Sequence, residues 1–284
     1  MHNQDEINKG AKAICFAITT ALENDDGALI GRNGSGELDC MINGIKAYSI
    51  QTLESNAGIY PMRQPDTFLS WREESIKATQ TANILVTRWY KPLEAAEQKA
   101  LVEWNVTPIQ IPLRSLEPYY VEDSLRWTSL LSGHRVAVIT SFTETAKKQI
   151  SKGVCPMFPS DISWSWIQTG HPPSVAQGRN EWPLDVGSWS DAVQYVVREV
   201  LREGARFALI GCGGLSMPIA RALKLRGIIA IVLGGAIQVL FSIKGNRWKN
   251  HETIRTLWTN DWVFPSEEET PSQANLIEGG CYWG

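Results

Sequence analysis

The chain has 284 residues, 43 % of them hydrophobic, with 27 Lys plus Arg against 30 Asp plus Glu. That is enough material for a large core, in one big domain or two packed halves. The near-neutral balance lacks the clustered positive charge of a nucleic-acid binder. Residues 1 to 10 lack the apolar centre of a signal peptide, and the longest apolar run, Ile228 to Phe241, is too short to span a bilayer. A cytoplasmic protein with no transmembrane segment is therefore expected. Five scattered cysteines without a C-x-x-C pair indicate neither a disulfide framework nor zinc. Twelve tryptophans stand out, since indoles stack on sugars and bases as readily as they fill large cores.

Along the chain, residues 11 to 23 have helical character, and GALIGR (27 to 32) reads as a strand ending in a glycine loop. Asp66 is placed to cap a helix running to about Ala82, before a buried strand NILVTRW (83 to 89). In PLEAAEQKALVEW the residues Leu93, Ala96, Ala100, Leu101 and Trp104 share a helical face behind Pro92. TPIQIPL fits a short edge strand, because its prolines cannot donate to a central ladder. The second half opens with the strand HRVAVITSF (134 to 142) and the helix TETAKKQIS. Ser188 and Asp191 then start a helix burying Val193, Val196, Val197, Val200 and Leu201. FALIG, a helix from Ser216 to Leu225 and IIAIVLGG follow.

Helices alternating with short, uniformly apolar strands predict an α/β fold with a mainly parallel sheet covered on both faces. Such sheets bind ligands beyond the carboxyl ends of their strands. The loops at 31 to 37, 140 to 145, 211 to 216 and 234 to 238 become the places to look.

Gly211, Gly213, Gly214 and Ser216 match G-x-G-x-x-small, a turn whose amides can approach a phosphate. NAD binding also wants an acid at the end of the next strand, which here reads IVLGGAIQ without a carboxylate. The same layout recurs in LIGRNGSGELDCM (29 to 41). There Arg32 can neutralise phosphate charge and Gly34 loosens the loop. Glu37 either complements the positive end of a helix or holds a divalent cation or a sugar hydroxyl, with Asp39 close behind. Downstream, Gln238 follows the Gly234-Gly235 loop by one helical turn, where its amide can read a base or hydroxyl. Lys244 and Arg247 with Trp248 suit a phosphate beside a ring. Asn260 and Trp262 are expected to dock the tail, Glu278 is a second candidate carboxylate, and Asn56, Gly58 and Tyr60 form a turn able to reach an acceptor.

GRNGSGE resembles the arginine-glycine-acid motif of glycosyltransferases with the GT-D fold, usually R-x-G-D-G-E. Three further strings, LGGAIQVLFSIKGNRW (233 to 248), WTNDWVFPSEEETP (258 to 271) and IEGGCYW (277 to 283), resemble a glycosyltransferase family of polysaccharide gene clusters and large algal viruses. The resemblance covers most of the second half and the 30s loop. It implies a GT-D-like pair of Rossmann-like halves, 1–132 and 133–284, sharing one cleft, and transfer of a sugar from a nucleotide donor to a glycan. Three departures stand out: Ser35 occupies the place of the first Asp of the usual metal motif, Ser242 replaces a glycine, and Thr140-Ser141 replace a His-Pro.

Together these readings make Arg32, Gly34, Gly211, Gly213, Gly214, Ser216, Gly234, Gly235, Gln238, Lys244 and Arg247 donor-binding, with a UDP-sugar favoured. Asn56 and Tyr60 are the acceptor candidates. Glu37, Asp39 and Glu278 are the catalytic candidates, and Glu37 the candidate ligand for Mn or Mg; NAD, haem and zinc are not expected. The rivals are an NAD(P)-dependent oxidoreductase and a non-catalytic nucleotide- or glycan-binding protein.

Overall fold

The computed structural model describes residues 3 to 45, 50 to 64 and 66 to 284. Helix α1 (Gln4–Glu23) starts earlier than its apolar periodicity suggests. Asn3 accepts from the Glu6 N–H at 2.9 Å while the Glu6 carboxylate accepts from the Asn3 N–H at 3.2 Å, a reciprocal cap set in a polar stretch. The first half continues through β1 (Ala28–Gly31), α2 (Ser35–Asn43), α3 (Ile50–Ala57), α4 (Asp66–Thr81), β2 (Ile84–Val86), α5 (Glu94–Glu103), β3 (Ile109–Ile111) and α6 (Leu113–Leu116). A run of 3-10 turns leads to β4 (Arg135–Thr140), α7 (Thr143–Ser151), β5 (Ser163–Gln168), α8 (Pro173–Ala176), α9 (Trp189–Arg202), β6 (Phe207–Gly211), α10 (Ser216–Lys224), β7 (Ile229–Val232), α11 (Ala236–Leu240) and α12 (Glu252–Leu257). Among the described residues no helix is long and apolar enough to cross a membrane, and the five cysteines are unpaired.

The seven strands among the described residues are parallel and lie in the order β3-β2-β1-β7-β6-β4-β5. The two halves share this one sheet, because β1 pairs with β7 in the register Ala28↔Ile229, Leu29↔Ala230 and Ile30↔Ile231. Successive side chains of each strand point to opposite faces and both are covered, which is why the strands read as unbroken apolar runs. Leu29, Leu85, Ile139, Ile210 and Val232 pack under α2, α3, α4, α9 and α10. Ile30, Ile84, Val138, Leu209 and Ile231 pack under α1, α7, α11 and the C-terminal residues Ile277 and Trp283.

Two details depart from expectation. Leu201 is 44 % exposed, because α9 buries a narrower stripe than its apolar content allows. Strand β5, SWSWIQ, has no clear apolar run; its Trp164 and Trp166 stack at 5.7 Å and meet Phe241 edge-on, closing the sheet edge with rings.

The tail after α11 is fastened to the body. Glu269 is 1 % exposed, and its carboxylate accepts from the backbone N–H groups of Glu144 (2.7 Å) and Thr145 (3.1 Å), from the Thr145 hydroxyl, and from Ser266 N–H and hydroxyl. Helix α7 has Phe142 at its N-cap position, which offers no side-chain acceptor. The cap comes instead from a residue 125 positions away.

Candidate functional site

The core packing sends the chain after β1 and β6 toward one face of the sheet and the chain after β7 and β4 toward the other. These four strands are neighbours in the order β1-β7-β6-β4. Their following segments diverge, and a crevice opens at their carboxyl ends. A cavity of about 330 Å³ occupies it, lined by all four loops the sequence points to, together with the tail.

The charged centre lies where β1 and β7 end. The Arg32 guanidinium stands 4.8 Å over the Trp89 ring and leans against Gly234, where a side chain would displace it. Beside the next glycine the Arg247 guanidinium sits between Trp248 (4.9 Å) and Tyr282 (4.8 Å), with its Nη1 3.0 Å from where a Cβ on Gly235 would stand. Arg247 also pairs with Glu278 at 3.5 Å. Asn56 holds that corner by accepting from the Glu278 N–H at 3.0 Å. Glu37 is in the first turn of α2, and its carboxylate folds back into the space left by Gly34. Burial pushes its carboxyl above the usual range and Glu278 adds to the rise, opposed by the residue's own N–H and by Arg32. Two cations and two carboxylates from opposite ends of the chain thus face one space.

The second glycine loop lines the cavity and also answers a packing demand. A Cβ on Gly211 would meet Ile237 at 2.6 Å, and one on Gly214 would meet Ile59 at 2.9 Å. Gly213, at φ 58°, faces the Ala57 carbonyl at 3.0 Å. These glycines border the cavity but also admit the end of α3 and the start of α11. Ser216 is buried, its hydroxyl accepting from the Cys212 N–H at 3.1 Å.

Four expected residues stand outside the lining. Asp39 accepts from Asn43 at 2.7 Å on the surface of α2. Gln238 is buried and donates to the Tyr282 carbonyl at 2.9 Å, so its amide binds the tail. Lys244 stands 5.6 Å over the Trp258 ring. Tyr60 is buried and donates to the Val186 carbonyl at 3.3 Å. In the tail, Trp262 packs with Val239 and Ile254, whereas Asn260 is exposed.

The cavity also recruits residues that sequence reading passed over: Trp89, Glu117, His171 and His251. His171 borders it with an Nε2 that has no partner, and burial lowers the imidazole to about 4. No motif marks Glu117, which follows α6 in the crossover to β4; only the fold brings it here. Among the described residues no three His, Cys, Asp or Glu side chains are grouped to hold a metal ion.

No family model matches the chain, and neither a curated protein nor a solved structure is significantly similar to it.

Proposed function

We propose that the protein is a glycosyltransferase that moves a sugar from a nucleotide-sugar donor to a glycan acceptor. The observation that carries this reading is the placement of Arg32 and Arg247, from opposite halves of the chain, on one ring-lined cleft at the carboxyl edge of a parallel sheet. Planar guanidinium groups held by aromatic faces are preorganised for phosphate oxygens. In this reading they hold the donor diphosphate, and the N-terminus of α2 adds its positive end. Both groups stabilise the charge that grows as the nucleoside diphosphate departs. Glu37 orients the donor sugar. A divalent cation carried in with the diphosphate would find Glu37 within the same loop and would neutralise phosphate charge there. Glu278 keeps Arg247 in register. A dinucleotide fits less well: β7 ends at Val232-Leu233 without a ribose-binding acid, and Ala57 already fills the closest approach to Gly213 and Gly214.

The test is a thermal-shift screen of UDP, UDP-sugars and NADH, with and without manganese, followed by a transfer assay on the best donor. A ligand at 100 times its Kd adds about 2.7 kcal/mol, a readily visible shift. Stabilisation by NADH alone, or donor binding without transfer to any glycan, defeats the reading.

A further inference from the structure

Glu117 is a buried carboxyl beside the Tyr119 hydroxyl in the turn after α6. It is 8 % exposed, borders the cavity and forms no ion pair with any described residue. Three residues that line the cavity also carry a buried donor without a partner: Arg32 Nε, Trp89 Nε1 and Trp248 Nε1. Unmet donors are costly unless something fills them. Two indole rings, several N–H groups and one carboxylate suit a ligand with ring faces and many hydroxyls.

Building on the transferase reading, we propose that Glu117 is the base that takes the acceptor's hydroxyl proton, with Trp89 and Trp248 forming the wall against which the acceptor sugar lies. In the transfer step the acceptor oxygen forms a bond to the anomeric carbon and gives its proton to the Glu117 carboxylate. The bond from that carbon to the diphosphate oxygen breaks, and its electron pair leaves with the diphosphate beside Arg247.

The other two carboxylates of the cleft are less free. Glu278 is exposed and committed to Arg247 at 3.5 Å and to the Cys281 thiol at 3.4 Å. Glu37 folds onto its own helix. Burial lifts the Glu117 carboxyl to about 7, against the Tyr119 hydroxyl, Arg32 and Arg114. A base working near neutral pH needs this range. The groups facing it are Arg32 from the loop after β1, Arg114 on α6, and Tyr119 and Tyr120 in the next turn, with His251 sensing Arg114 from the start of α12.

The experiment compares wild type, Glu117→Gln and Glu117→Asp in transfer, donor binding and melting across pH. Glu117→Gln should keep the donor-induced shift and melt no lower than wild type at pH 8, because it removes a buried charge. It should lose about a hundredfold or more in turnover. The acid limb of the rate profile, centred near the elevated carboxyl value, should vanish with it. Glu117→Asp should recover part of the rate. Turnover within a few-fold of wild type on an unchanged acid limb overturns the proposal. So does a Glu117→Gln protein that loses donor binding or melts early, since Glu117 would then be a brace. A wild-type protein that transfers no sugar from any donor sinks the transferase reading before any variant is made, and the proposal goes with it.

Discussion

Removing the carboxylate of Glu269 tests how the tail is held. In Glu269→Ala the backbone N–H groups of Glu144 and Thr145, the Ser266 N–H and two hydroxyls lose their common acceptor. Loss of a helix cap costs about 1 kcal/mol, and each buried donor left unsatisfied about 1–3 kcal/mol. The hydroxyls can rotate toward other acceptors and one amide can reach water, so the expected sum is about 3–5 kcal/mol. For a domain of this size that is roughly a 10 °C fall in Tm. Glu269→Gln should lose most of it too: its amide nitrogen would face two or more donors whichever way it turns. Glu268→Ala is the control, because that neighbour is exposed. The assay pairs urea melts with limited proteolysis of the last forty or so residues. Trp283 donates to the Glu269 carbonyl at 3.3 Å and packs on Phe142, so the tail should be cleaved first. If Glu269→Ala melts with Glu268→Ala and its tail stays protected, the cap is not what fastens the tail.

Glu37→Gln should retain the fold and lower sugar transfer by about a hundredfold, while Asp39→Asn, on the outer side of α2, should cost far less; equal turnover in both removes the 30s loop from the chemistry. Arg247→Lys, which cannot span Trp248 and Tyr282 as a planar group, should raise the donor Kd about tenfold or more, read by calorimetry, and an unchanged Kd would show that the stacking is incidental. His171 has its folded value lowered by burial to about 4 against an ordinary 6.5. The unfolded chain therefore binds more protons between these values, and this contribution is full above pH 6.5 and lost toward pH 4, at most about 3 kcal/mol. His171→Phe should flatten that acid-side slope in urea melts; an identical slope refutes it. Deleting residues 277 to 284 removes the buried Ile277 and Trp283 along with Tyr282. At about 1.5–3 kcal/mol per buried side chain, circular dichroism should report a poorly folded product, and a normal melt would count against the packed tail.

What could be read from the sequence follows from how local each signal is. Strands β1, β4, β6 and β7 are buried on both faces, and their apolar runs announce them. Ser188 caps α9 through the Asp191 N–H because that geometry involves four consecutive residues. Strand β5 escaped because its ring-against-ring packing is tertiary. The loops lining the cleft were legible from strand ends alone, whereas the side chains inside it were only partly so. Arg32 sits directly after a strand and Glu37 in the first turn of the helix that follows, and both line the cavity. Gln238 and Lys244 have the same polar character, but the tail folds over them and takes up their contacts. Glu117 and Trp89 show the converse: nothing near them in sequence marks a site, and they reach it because α6 and the loop after β2 lie beside Arg32.

The pairing of β1 with β7 has a consequence during synthesis. The edge of β1 that will receive β7 is made within the first 31 residues, yet its partner begins at residue 229. At about 5–20 residues per second, the ribosome leaves that row of N–H and C=O groups unpaired for roughly 10–40 s. An open apolar strand edge is a template for pairing with other chains. Until β7 emerges, that edge of β1 is therefore open to pairing with a neighbouring chain. The same order of synthesis means that the cleft waits for the second half: a nascent chain that stops anywhere before β7 has Arg32 without Arg247.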